Sequence, residues 1–143
     1  MKHQIATDTS QSSRLIACGV NISSADMYLE KSNIPPADYH LHTIAEGIDH
    51  EHWFKYRGNR DIIPAWSLSA LLALLSMEIN EEGLQTVFQL TPYPDELKWA
   101  AEYYDYTMDK YLCSERDYNP IEALVKAIER LTQKGYKLNN IKL

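Results

Sequence analysis

NPIEALVKAIERLTQKG, residues 119–135, comes shortly after a segment, Leu84–Glu115, in which apolar side chains alternate, and that change of period decides the fold. Ile121, Leu124, Val125, Ile128 and Leu131 fall at helical spacing, with Glu122, Lys126, Glu129, Arg130 and Gln133 on the opposite side. Asn119 is a capping residue type, and Pro120 stands at the first helical position, where a missing N–H costs nothing. Glu122 completes an Asn-x-x-Glu form of the capping box, and Gly135 stops the run as a left-handed residue. Burying three of these large side chains contributes on the order of 5 to 8 kcal/mol before entropy, so the domain is expected to need this helix to fold.

The alternating segment reads as an antiparallel meander. Leu84–Thr91 places Leu84, Thr86, Phe88 and Leu90 on one face, and Gln85, Val87 and Gln89 on the other. Pro92–Asp95 makes a turn. Leu97–Tyr106 then sets Leu97, Trp99, Ala101 and Tyr103 against Lys98, Ala100, Glu102, Tyr104 and Tyr106, one face buried and the other amphipathic. Tyr111–Glu115 is expected to return as a short third strand. Upstream, Pro64 opens a strongly apolar helix carrying Trp66, Leu68, Leu71, Leu72 and Leu75, with Ser67 able to cap it and a place at the centre of the fold.

The N-terminal half is less legible. Thr9–Cys18 reads as a short helix capped by Thr9 or Ser10 and ended by Gly19, with residues 1–10 otherwise a flexible tail. Asn21–Glu30 has too few apolar positions to fix a period. In Lys31–Pro64, Pro35-Pro36 blocks helix and Gly47 and Gly58 punctuate. Tyr39–Ile44 is the best strand there, expected as a fourth member or edge of the meander. The expectation is one α+β domain over residues 1–143, with a meander of three to four strands packed against a central apolar helix and a capped C-terminal helix, after a short N-terminal helix.

Composition agrees with an ordinary single domain: 143 residues, 45% hydrophobic and 24% charged, enough chain for a core without metal or disulfide staples. Fourteen Lys and Arg against twenty Asp and Glu give a net charge of −6. Nonspecific nucleic-acid or acidic-membrane binding is therefore not expected, and a partner chosen by charge is expected to be basic. The opening MKHQIATDTSQSS lacks the apolar stretch of a signal peptide, and Leu68–Met77 is about half a membrane span, so a cytoplasmic protein is expected. Cys18 and Cys113 form no CxxC pair and read as reduced, packed thiols.

Three strings, Ser24-Ala25-Asp26-Met27, Ile63-Pro64-Ala65-Trp66-Ser67-Leu68-Ser69-Ala70-Leu71-Leu72 and Asn119-Pro120-Ile121-Glu122-Ala123, resemble a family of small uncharacterised proteins of Bacteroides-type gut bacteria and their prophages and mobile elements. The resemblance spans about Ser12 to Leu138 and implies an intracellular, mobile-element setting, with no activity, cofactor or catalytic residue to carry over.

Three clusters are candidate sites. His40-x-His42 and His50-x-His52 hold four of the five histidines, and a strand would turn His40 and His42 to one face, a geometry compatible with zinc, with Glu46, Asp49 and Glu51 as oxygen donors. The competing reading is a polar loop rich in histidine. Trp53, Phe54 and Tyr56 with Lys55, Arg57 and Arg60 form an aromatic and basic group that could stack a nucleotide or single strand, or equally dock into the core with its cations snorkelling. Tyr104, Tyr106 and Tyr111 lie on or near the second sheet face with Glu102 and Asp105, a candidate protein contact surface, with Trp53 and Tyr56 as further contact residues, unless the three tyrosines are ordinary cross-strand packing. No nucleophile elbow, phosphate loop or dinucleotide fingerprint occurs, and no cofactor is expected. The leading expectation is a nonenzymatic accessory domain that works by protein contact, with homo-oligomerisation left open. The alternatives are a metal-binding protein or metal-dependent hydrolase at the histidines, and an immunity or anti-defence protein that binds a basic partner.

Overall fold

The structure, a computed structural model, describes residues 4–35, 38–44, 49, 53–54, 62–75, 86–136 and 138. The chain runs through α1 (Thr9–Ala17), a 3-10 turn (Ile22–Ser24), β1 (Met27–Lys31), β2 (Tyr39–Thr43), β3 (Ile62–Ala65), α2 (Leu68–Leu74), β4 (Thr86–Tyr93), a second 3-10 turn (Pro94–Glu96), β5 (Lys98–Asp105), β6 (Lys110–Asp117) and α3 (Pro120–Gln133). These elements form an α+β fold with two three-stranded antiparallel sheets, ordered β2-β1-β3 and β4-β5-β6.

The second sheet and α3 follow the change of period in the sequence. Ile121, Leu124, Val125, Ile128 and Leu131 are all buried, together with Ala123 and Ala127, and α3 lies across β5 and β6. Phe88, Ala101, Tyr103 and Cys113 meet it from the sheet in one core that also takes in Leu15 of α1 and Leu71 and Leu74 of α2. Asn119 caps α3, its side chain accepting the Ile121 N–H at 2.9 Å. Glu122 does not close a capping box. It accepts instead from Arg14 and Gln11 of α1, and Arg14 also pairs with Glu129, so the acidic edge of α3 fastens α1 across the core.

Several expectations are corrected. Tyr39–Thr43 does not join the meander: it pairs with Met27–Lys31, from the segment whose period the sequence left open, and lies at the edge of the first sheet. The cap of α1 is Asp8 rather than Thr9 or Ser10, and its side chain and that of Gln11 form a reciprocal capping box. The expected tail is built into the fold from Gln4 onward, with Ala6 bridged to Ser67 and Thr7 almost fully buried. Pro64 and Ala65 belong to β3, and α2 starts only at Leu68, after the Ser67 cap. Leu97 is a turn residue at φ 55° and 78% exposed, because the 3-10 turn ends there, so it does not share the buried face of Trp99. Residues 84 and 85 of the expected first meander strand lie outside the described residues.

Candidate functional site

The second sheet has two faces of different character. Toward α3 it turns Phe88, Ala101, Tyr103 and Cys113. Away from α3, alternation along β5 presents Ala100, Glu102 and Tyr104, flanked by Val87 and Gln89 of β4 and by Ser114 and Arg116 of β6. Val87 is 36% exposed on this outer face, Tyr111 48% and Tyr106 63%.

A bulge assembles the tyrosines. Tyr103 stands opposite Cys113, yet Tyr104 stands opposite Tyr111, so Leu112 is the extra residue on β6. Leu112 and Cys113 are consequently both buried, and the carbonyl of Leu112, displaced from the ladder, accepts from Lys134 Nζ at the end of α3. Strict alternation would put Leu112 outside beside Tyr104 and Tyr111 inside. The bulge exchanges them. Tyr104 then meets the rings of Tyr106 at 5.0 Å and Tyr111 at 5.1 Å, both edge to face at 78° and 73°. The three rings share one continuous patch at the hairpin end of the sheet, beside the turn residue Met108, which is 59% exposed.

Next to this patch, Glu102, like Ala100 two residues before it, is fully buried on the outer face, while Val87, Gln89, Ser114 and Arg116 beside them are exposed. Its two oxygens accept the hydroxyls of Tyr93 and Ser114, each at 3.0 Å. The bond donated to this carboxylate raises the Tyr93 phenol above its ordinary range, because a phenolate there would face a like charge. Arg116 lies over the Tyr93 ring at 4.3 Å and pairs with Glu96, and Lys98 lies over Tyr118 at 5.2 Å. Asp105, also fully buried, uses one oxygen to accept the Thr107 N–H and so fixes the turn into β6. Its Oδ2 has no hydrogen-bond partner among the described residues. Sequence reasoning singled out the three tyrosines but missed Tyr93, Ser114 and Arg116, which no motif marks and which only the β5 register brings to Glu102.

The histidine candidate resolves in part. His40 and His42 do share one face of β2, both exposed, with Glu30 of β1 directly opposite His40 and 3.9 Å from His42 Nε2. These residues, with Ser32 and Ile34, line an open depression of about 580 Å3. The His42 ring stacks on Tyr28 at 5.1 Å, and Tyr28 in turn meets Trp53 at 4.5 Å. Among the described residues no three His, Cys, Asp or Glu side chains are arranged to hold a metal ion. His50, His52, Glu46 and Glu51 lie outside the described residues, as do Tyr56 and the cations Lys55, Arg57 and Arg60. Of the aromatic and basic cluster, Trp53 packs against the main core and Phe54 is buried within it.

Among the described residues no helix is long and apolar enough to cross a membrane. Comparison with protein families, with curated proteins and with solved structures gives no match.

Proposed function

We propose that this chain is a protein-interaction domain whose contact surface is the outer face of the second sheet, centred on Tyr104, Tyr106 and Tyr111. The observation that carries the reading is the bulge at Leu112, which buries a leucine and turns a tyrosine outward. Tyrosine supplies large contact area at low entropic cost, and aromatic residues are enriched where proteins meet. The pair of hydroxyl bonds to the buried Glu102 ties β4 and β6 to the strand that carries Tyr104, which supports a patch presented on a rigid base. The phage or mobile-element setting rests on the sequence resemblance alone.

The test is capture of partners from the native cells by the tagged chain, compared with a Tyr106→Ser/Tyr111→Ser variant of equal thermal stability. The expected result is a stoichiometric partner retained by the parent and lost by the variant. A partner that the variant retains in full, or none captured by the parent, overturns the reading.

A further inference from the structure

The outer face of the second sheet carries its tyrosines in two different states. Tyr93 has Arg116 over its ring at 4.3 Å, and Tyr118 has Lys98 over its ring at 5.2 Å. Tyr104 meets Tyr106 on one side and Tyr111 on the other, edge to face, and none of the three rings has a cation over it among the described residues. A tyrosine ring carries negative potential on its face, so an uncovered cluster attracts a cation, and a planar guanidinium stacks on such a ring better than an ammonium does. Formal charge at this end of the sheet has the same sense. Among the described residues of the β5–β6 hairpin from Glu102 to Lys110, Glu102, Asp105 and Asp109 are set against Lys110, three acids to one base, within a chain of net charge −6.

We infer that the occupant of this patch is an arginine-bearing segment of a partner protein, with a guanidinium stacked on the rings of Tyr106 and Tyr111 in the way that Arg116 stacks on Tyr93. This rests on the outer face being the contact surface and adds the chemistry of what it contacts. Arg116 provides the internal precedent: on this same sheet an arginine lies on a tyrosine while its charge is met by Glu96 at 3.0 Å. The acids near the tyrosine patch offer the corresponding attraction. Glu102 and Asp105 are buried and act through the field rather than by contact, whereas Asp109 is exposed at the turn.

The probe is the peptide acetyl-Gly-Arg-Gly-amide, titrated into the full chain while the tyrosine ring signals are followed by NMR. The isosteric but neutral acetyl-Gly-citrulline-Gly-amide is the comparison. The expected result is a saturable shift of the Tyr104, Tyr106 and Tyr111 signals by the arginine peptide, with the citrulline peptide binding roughly tenfold more weakly. Tyr106→Leu/Tyr111→Leu is expected to remove that preference, and Tyr106→Phe/Tyr111→Phe, which keeps the rings, to preserve it. Attraction by net charge alone would survive the leucine substitutions. Equal binding of the two peptides, no shift of the three rings, or an undiminished preference in the leucine variant overturns the inference. If the peptides bind equally while the captured partner is still lost with Tyr106→Ser/Tyr111→Ser, the contact surface stands and its cationic chemistry fails.

Discussion

Cys113 illustrates how position decides a side chain's chemistry. Its place on the α3 side of β6 buries it, and burial pushes the thiol from its ordinary 9.0 up to about 11. The unfolded chain sheds this proton near pH 9 while the folded chain holds it until about 11. In that interval the folded state binds more protons, so stability falls as pH rises through it. The melting temperature is expected to decline between pH 9 and 11, and Cys113→Ala to flatten part of that decline. An unchanged slope would remove the thiol from the account. The sequence suggested that Cys113 is a packed thiol, and it is buried, but no face within Tyr111–Glu115 was read for it: the irregularity at Leu112 is what sets it opposite Tyr103 rather than beside Tyr111. Glu102 was legible only as a polar position on an amphipathic face. Its full burial depends on Tyr93, nine residues back across a turn, and on Ser114, twelve ahead across another. Local period carries no information about such partners.

At the scale of elements, α3 was legible almost to the residue, because its capping residue, its Pro120 and its apolar stripe agree with one another. The reading of Glu122 failed for a tertiary reason: Arg14, more than a hundred positions away, offers a charge-assisted bond stronger than the return bond of a capping box. The bulge in β6 was not legible, since Tyr111-Leu112-Cys113 reads as plain alternation until both Leu112 and Cys113 are seen to be buried. Thiol accessibility distinguishes the two arrangements. In a background lacking Cys18 and Cys113, Leu112→Cys is expected to resist alkylation in the folded protein, and Tyr111→Cys to react at once. Regular alternation predicts the reverse. β1 was missed because its strand depends on pairing with both β2 and β3 rather than on its own composition.

For the whole molecule, one core joins α1, α2, α3 and the second sheet, while a smaller cluster of Ala6, Leu29 and Ala65 serves the first sheet. Two of the strings singled out in the sequence prove to be one joint in space. Ser24 Oγ accepts from the indole N–H of the fully buried Trp66, and Asp26 accepts from the Ser67 amide at the start of α2. These strings have a structural reason to occur together that owes nothing to a binding site. The division of the strands between two sheets was not legible, because pairing between segments far apart in sequence leaves no local trace. The same limit applied to the candidate site: the tyrosines were visible as residues, and the bulge that gathers them was not.

The central claim is that partners meet the outer face of the second sheet. It is tested most directly by replacing Tyr106 with a photo-crosslinking phenylalanine analogue and, in a separate protein, placing the same analogue at Ile34, which is 76% exposed beside the first sheet. Irradiation in the native cells is expected to join a partner to the chain from position 106 and not from position 34. A partner joined from position 34 alone would contradict the account and move the contact to the histidine-bearing sheet.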